Sequence, residues 1–509
     1  MAPAKNKIKE IEELARITAA AKAKKKRVVQ CHGVFDLLHI GHIRHFEQAK
    51  TFGDTLVVTV TPDRYVNKGP HRPAFPESLR AEAIAALDCV DYVAINKWPT
   101  AVEAIKLLKP DVYAKGPDYK DARKDYTGKI TDEAAAIKAV SGEIAFTDDI
   151  TFSSTSLINK YLPAFPKEVS DYLAAFSARH PAEEVRQYLE NSRPIKALIV
   201  GETIIDEYQY CEAIGKSAKE PVLATRYLST DKFAGGVLAV SNHVANFSDN
   251  VGLLTFLGKE DTQEDFVREH LNRHVAGTFL YKANSPTIIK RRFVENYLLT
   301  KLFEVYVIND EEVSRTESRA LCRKLHDLLP RFDIVIAVDY GHGMMSQDAI
   351  DIICREAPFL AVNTQANAGN RGFNTIFKYP RANYVCIAEH EIRLEFRSRR
   401  GDLRDMIKEV SQKLGCGRVV VTRGKYGCLA YSKNDGFFEV PAFAQQIVDR
   451  VGIGDAFLAI TSLCAAQKAP MEVIGFIGNV VGAEAVAILG NQKSIERPSL
   501  LKHIDSLLK

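Results

Sequence analysis

The chain has 509 residues, of which 46% are hydrophobic and 26% charged, and its formal net charge is +4. This is the balance of a globular protein with two or three α/β-sized domains, and so small a charge excludes a nucleic-acid coat or a membrane-surface binder. The nine cysteines are scattered without a CxxC pair, the pattern of reduced thiols in a cytoplasmic protein. No apolar run is long enough for a secretion signal or a membrane span, and no DNA-binding element is recognisable.

In chain order, residues 1–26 read as a helix that runs into the basic stretch Lys24–Arg27, where cations suit the negative end of the helix dipole. From 27 to 160 strand-like and helical segments alternate. RVVQCHGVFD (27–36), DTLVVTVTPD (54–63), DYVAI (91–95) and GEIAFTD (142–148) read as strands, and AVEAIKLLKPDVYAKG (101–116) as a helix followed by a strand. Such alternation builds a parallel sheet covered on both faces. Residues 161–193 carry prolines, charges and helical spacing without a strand-like run, and read as an exposed helical connector. A larger α/β domain is expected over 194–509, with strands at DIVIAVDY (333–340), FLAVN (359–363), YVCIA (384–388) and RVVVTRG (418–424).

The stretch GVFDLLHIGH (33–42) falls at a strand-to-helix junction. Gly41 permits close approach of a phosphate, and the following helix offers free N–H groups and the positive end of its dipole. His39 and His42 can place imidazole donors on an α-phosphate. Lys68 and Arg72 in KGPHRP (68–73) suit a triphosphate. Ser153, Ser154 and Thr155 precede an apolar helical pattern, where hydroxyls cap a helix or hold phosphate oxygens. His39, His42 and His45 are also a candidate zinc set, but no cysteine or carboxylate cluster completes it. The three elements, in order along one domain, point to a nucleotide site.

GVFDLLHIGH resembles the GxFDxxHxGH signature of the cytidylyltransferase-like nucleotidyltransferases, which also carry a later STxxI helix start. Class I aminoacyl-tRNA synthetases share HIGH but pair it with a KMSKS loop, and no such loop follows here. With KGPDY (115–119), the resemblance over about 27–160 is closest to the adenylyltransferase half of the bifunctional heptose kinase/adenylyltransferases. It implies attack of a sugar 1-phosphate on the α-phosphate of ATP or CTP, with release of pyrophosphate. His39 and His42 would stabilise the transition state. Gly33, Val34, Phe35 and Gly41 would cradle the nucleotide together with Lys68, Arg72, Ser154 and Thr155. Asp36 and Lys115 would contact the substrate, and Mg²⁺ would neutralise the leaving group.

In the second domain, IVDRVGIGDAFLAI (447–460) bends at Gly452, Ile453 and Gly454 into a helix expected to start near Asp455. The N–H groups left at that bend suit a γ-phosphate, and Asp455 beside them can accept a hydroxyl proton. FAGGVLAVSNHVANF (233–247) is a Gly-Gly turn into a helix, and IVGETIIDEY (199–208) is a strand leading to Asp206. With VVVTRGKYG (419–427), EPVLA (220–224) and PTIIKRRFVENYLLTKL (286–302), these segments resemble the ribokinase-like (pfkB-type) sugar kinases over about 196–500. The resemblance implies Asp455 as base and Gly452–Gly454 as anion hole. Asp206, Gly235 and Gly236 would contact the sugar, and Thr422 and Gly424 the nucleotide.

This chain departs from that pattern at several positions. Arg450 replaces a Thr, Ile453 an Ala, Ala239 an Asn, and Glu202 the Asp of a GD opening. Asn363 replaces a strand-end Asp ahead of the loop TQANAGNRGFN, and Ala388 an Asn three residues before Glu391. The domain order is the reverse of the heptose enzyme's. Two readings stay open. One is a bifunctional, homo-oligomeric enzyme, paired through its kinase domain, that makes an NDP-sugar of the ADP-heptose kind used in lipopolysaccharide synthesis. The other is a nucleotidyltransferase carrying a pseudokinase.

Overall fold

Apolar, β-branched runs supply the strands of both sheets that carry the expected sites. The computed structural model describes residues 4–66, 72–116, 129–148 and 165–508. The chain divides into two compact units, Met1–Pro166 with Leu501–Lys509, and Lys167–Leu500.

The first unit is built on strands β1 (Val28–Gly33), β2 (Thr55–Val60), β3 (Tyr92–Ile95), β4 (Val112–Lys115) and β5 (Glu143–Phe146). They form a parallel sheet in the order β3-β2-β1-β4-β5. Val28, Val29, Leu56, Val57 and Val58 are fully buried, because a parallel sheet is covered on both faces and its strands are apolar throughout. One face packs Val29, Leu56 and Val58 against Phe46, Ala49 and Ile84. The other packs Val28, Val57 and Ala94 against Ile11 and Leu14 of the helix Ile11–Ala23. That first helix is therefore part of the domain core. The strand order reverses direction about β1, whose C-terminal end is a topological switch point, the place where open α/β sheets bind ligands.

The second unit has strands β6 (Lys196–Gly201), β7 (Thr203–Lys216), β8 (Leu223–Gly236), β9 (Asn250–Gly258), β10 (Val275–Lys282), β11 (Ile288–Glu295) and β12 (Thr300–Val307). It continues with β13 (Ile334–Asp339), β14 (Leu360–Thr364), β15 (Tyr384–Ala388), β16 (Arg418–Thr422), β17 (Cys428–Ser432) and β18 (Gly436–Val440). Nine of them form one sheet, β10-β9-β6-β13-β14-β15-β16-β17-β18, parallel as far as β16. The other four, β12-β11-β7-β8, form a separate sheet.

Two expected boundaries need correction. The helices Lys167–Arg179 and Ala182–Glu190 are packed elements of the second unit, where the sequence reads an exposed connector. Phe176 is fully buried and stacks on Phe476 with ring centroids 4.3 Å apart, while Val185 and Leu189 are also buried. The helical spacing marks an apolar stripe, and a stripe must be covered. At the other end, Leu501–Lys509 groups with the first unit rather than with 194–500.

Candidate functional site

His39 caps the helix Ile40–Lys50. Its backbone is extended (φ −139°, ψ 172°) and its Nδ1 accepts the Gly41 N–H at 3.1 Å. A neutral imidazole that accepts at Nδ1 carries its proton on Nε2, and this Nε2 is buried without a hydrogen-bond partner among the described residues. Burial holds His39 below the usual histidine range, so the ring is neutral at pH 7. The His42 ring stacks on it, centroids 3.9 Å apart, and Phe35 meets His42 edge-on at 5.4 Å. Phe35 itself has φ +50°, a left-handed conformation that bulky residues rarely adopt outside functional loops. His45 points elsewhere: its Nδ1 bonds Thr147 Oγ1 at 2.8 Å, and burial, with Lys115, lowers its pKa to about 4. Among the described residues no three metal-ligating side chains converge.

The end of β1 is fastened from beside and below. Asp36 accepts the N–H groups of Ala74 at 2.5 Å and Phe75 at 3.3 Å, and Arg72 at 3.2 Å. The expected substrate contact Asp36 and nucleotide contact Arg72 thus hold each other. Arg80, 2% exposed, donates to the carbonyls of Phe75 and Thr61 at 2.9 Å each, to Val34 O, and to Asp63. Sequence reasoning missed Arg80, whose one signal is a charge on the face that also buries Ala81 and Ile84. Lys115, at the end of β4, is buried and paired with Glu133 at 2.7 Å. Lys68, Ser153, Ser154, Thr155 and the remainder of KGPDY after Gly116 lie outside the described residues.

In the second unit the helix Ile453–Ala466 starts at Ile453, two residues before the expected position, with Gly452 as its cap at φ +78°. Asp455 therefore lies in the first turn, beside N–H groups that have no partner within the helix. It is 8% exposed, and its Oδ1 accepts the Tyr340 hydroxyl at 3.0 Å and the Gln365 Nε2–H at 2.8 Å. Burial raises its pKa to about 6, helped by Asp206 and opposed by these two donors and by Lys290. Asp206 pairs with Arg292 and accepts Asn491 Nδ2 at 3.2 Å. A Cβ at Gly235 would stand 2.2 Å from Asp206 Oδ2, so this acid needs a glycine opposite it. Gly236 caps the helix Val237–Ala245. Lys290 is 8% exposed and lies over the Tyr306 ring at 5.3 Å, without a hydrogen bond or ion pair among the described residues. Arg292, Lys290, Tyr340 and Gln365 are functional candidates that motif spacing did not single out. The stretch PTIIKRRFV held the first two.

The departures have internal uses. Glu202 accepts the N–H groups of Tyr340 and His342 at 3.0 Å each. Asn363 donates to Cys386 O at 2.7 Å, and Glu391 accepts the N–H groups of Ala388 at 2.7 Å and Ala366 at 3.2 Å. Arg450 donates its N–H at 2.6 Å to Asp449, which also takes Tyr208, Lys301 and the Gly490 N–H. Ala239 is buried in the helix Val237–Ala245. Thr422 ends β16, and Gly424 (φ +56°) opens the turn after it.

Each α/β unit thus presents one candidate site: stacked histidines at the switch point of a parallel sheet in the first, and a buried carboxylate at a helix start in the second. Residues 31–160 match the cytidylyltransferase-like family, and residues 361–498 match the pfkB family of carbohydrate kinases. The chain thus carries an N-terminal cytidylyltransferase-like domain and a C-terminal pfkB kinase domain, one of nucleotidyltransferase and one of kinase class. Among characterised proteins it is similar to the bifunctional protein HldE of Geobacter metallireducens, 39% identical over 171 residues, 32% of either chain. HldE of Pelobacter propionicus is 47% identical over 116 residues, 22% of this chain and 24% of that one. The chain spans about a third of the length of the curated relatives it matches. Among solved structures, the Thermotoga maritima ribokinase covers 61% of this chain and 99% of its own, at 17% identity and a TM-score of 0.48. Phosphofructokinase-2 from Escherichia coli covers 62% of this chain and 100% of its own, at 14% identity and a TM-score of 0.49. No helix among the described residues is long and apolar enough to cross a membrane.

Proposed function

We propose that the chain is a bifunctional sugar-activating enzyme of the cytoplasm. Its C-terminal unit phosphorylates a sugar or sugar phosphate with ATP. Its N-terminal unit joins a sugar 1-phosphate to a nucleotide, giving an NDP-sugar of the ADP-heptose kind for cell-surface glycans. The observation that carries the reading is the neutral His39 ring, capped on one nitrogen and left with a buried, unpartnered N–H on the other. A phosphate oxygen of the sugar 1-phosphate attacks the α-phosphorus of ATP or CTP, a P–O bond forms, and the bond to pyrophosphate breaks. Charge accumulating on the α-phosphate oxygens is met by His39, His42 and the first-turn N–H groups. Backbone groups of Gly33–Phe35, with Lys68, Arg72, Ser154 and Thr155, hold the triphosphate, whose magnesium arrives with it as part of the substrate.

In the kinase unit an acceptor hydroxyl attacks the γ-phosphorus, its proton passes to Asp455, and ADP leaves. The N–H groups at Gly452–Gly454 receive the phosphoryl charge, and Thr422 and Gly424 flank the nucleotide. Lys290, a buried ammonium without an anionic neighbour in contact, suits an acceptor that brings its own negative group, which favours a sugar phosphate. At one edge of the four-stranded sheet, Tyr297 and Leu298 in the β11–β12 turn are 87% and 72% exposed, and Phe303 on β12 is 51% exposed. Exposed apolar side chains of that size support a homodimer formed through this sheet.

The second reading, a nucleotidyltransferase with a pseudokinase, draws on Asp206, whose carboxylate is taken up by Arg292 and Asn491. The test is pyrophosphate release from each nucleoside triphosphate with a set of sugar 1-phosphates, alongside ATP-dependent phosphorylation of sugars and sugar phosphates. Release without phosphorylation of any acceptor selects the second reading. No release with any triphosphate refutes both.

A further inference from the structure

The loop after β14 reaches back onto the end of β13 through a set of amides. Asn367 Nδ2 donates to Tyr340 O at 2.7 Å, and Asn370 Nδ2 to the same carbonyl at 2.8 Å. Asn374 Nδ2 donates to Asp339 O at 2.9 Å and to Gln365 O at 3.1 Å. The Gln365 N–H itself bonds Asp339 O at 2.8 Å. The close approach depends on Gly341 (φ +69°), where a Cβ would stand 2.1 Å from Asn370 Nδ2. What this clasp delivers is one side chain: Gln365, whose Nε2 donates to Asp455 Oδ1 at 2.8 Å, beside the Tyr340 hydroxyl on the same oxygen at 3.0 Å.

We propose that Gln365 is a positioning residue for phosphoryl transfer, fixing Oδ1 of Asp455 so that Oδ2 is the oxygen that takes the acceptor's proton. The inference rests on the reading of Asp455 as the base. No hydrogen bond reaches Oδ2 among the described residues, whereas Oδ1 carries two. Two donors on one oxygen stop the carboxylate from turning and leave the other oxygen as the free acceptor. The groups facing this carboxylate are Tyr340 after β13, Asp206 on β7, Lys290 on β11 and Glu391 on the helix Glu389–Glu395. Asp206 and Glu391 disfavour its charge, while Lys290 and Tyr340 favour it. Gln365 is neutral and partly buried, so Gln365→Leu removes a donor without changing the charge or emptying the core.

The test uses the full chain with ¹³Cγ-labelled aspartate, the Asp455 signal being identified by its loss in Asp455→Asn. Gln365→Leu removes a donor and should raise the Asp455 pKa by about one unit, and Gln365→Lys supplies a charged donor and should lower it. With ATP and a panel of hexose and heptose phosphates as acceptors, the acid limb of kcat should move the same way in each variant, with KM for ATP unchanged. A side chain that merely braced the loop would not move the two variants in opposite directions. If the Asp455 pKa stays fixed in the folded variants, the contact does not act on the base and the proposal falls while the base reading stands. If the carboxyl titration moves but the acid limb does not, or the wild type phosphorylates no acceptor, the base reading falls and takes the proposal with it.

Discussion

His39 uses its two nitrogens for two purposes, and amide replacements separate them. In His39→Asn the side-chain oxygen replaces Nδ1 and can still accept the Gly41 N–H, now 3.1 Å from the ring nitrogen. Asn is among the best N-caps, so stability should change by no more than about 0.5 kcal/mol. The Nε2 donor, however, is gone. Losing one preorganised donor to a developing oxyanion costs about 3–4 kcal/mol, or roughly 100- to 1000-fold in kcat. In His39→Gln the amide nitrogen falls near Nε2, so the donor is largely kept while the cap is lost, at about 1 kcal/mol of stability. Pyrophosphate release at saturating triphosphate, read beside a thermal melt, gives both numbers for each variant. Because burial lowers the His39 pKa and favours the neutral ring, the wild-type rate should not fall as pH rises from about 7 to 8.5. An imidazolium donor would instead lose about tenfold per unit across that range. An active Asn variant beside an inactive Gln variant, or that decline with pH, would refute the role given to Nε2.

The nucleotidyltransferase sheet was legible because its central strands β1, β2 and β4 are buried on both faces. Val28–Gly33 and Thr55–Val60 had to be apolar runs, and the glycine and histidines after β1 had to stand at the switch point. Of the four-stranded sheet, only the start of β7, within IVGETIIDEY, was legible as a strand. Its 14-residue members β7 and β8 turn exposed over 212–216 and 223–230, and carry Glu, Lys, Arg and Asp among their apolar residues, so neither an apolar run nor a clean alternation is present. The connector misreading has the opposite origin. Leu173, Phe176, Val185 and Leu189 have the right helical spacing, but spacing does not say whether the partner surface, here Phe476, exists. At the kinase site Asp455 was singled out by its glycines, whereas its partners were not. Tyr340 and Gln365 lie 115 and 90 residues away and meet Asp455 through the ends of neighbouring strands, a relation no local pattern encodes. Asp36 and Arg72 were singled out separately, as a substrate and a nucleotide contact, and their pairing with each other depends on the fold of 72–75.

Phe176→Ala should lower the unfolding free energy of the second unit by about 3–5 kcal/mol, because it removes a fully buried ring stacked on Phe476. Urea denaturation of the full chain measures it, and a change within 0.5 kcal/mol would restore the connector reading. Arg80→Met strands the carbonyls of Val34, Thr61 and Phe75 and the carboxylate of Asp63, so the triphosphate KM should rise at least about tenfold as the loop over β1 loosens. An unchanged KM with a lowered melting temperature would make Arg80 a matter of stability alone. Asp455→Asn should move activity and stability in opposite directions. Asn keeps the shape and can accept from Tyr340 and Gln365, but it cannot take a proton, so phosphorylation should fall by roughly 100- to 10,000-fold while nucleotidyl transfer is unchanged. The carboxyl pKa is raised from 3.8 to about 6, chiefly by burial, so the folded state holds a proton that the unfolded chain has already released. Its contribution to stability is therefore full below about pH 4 and is lost as pH rises through 6. Above that range the wild type carries a buried charge that Asn lacks, and the variant should be the more stable by on the order of 2 kcal/mol at pH 8, with the two converging at pH 4. A kinase-dead variant that is less stable than the wild type at pH 8 would show that the carboxylate is held by its donors more strongly than burial opposes it, and would contradict a base poised near neutrality.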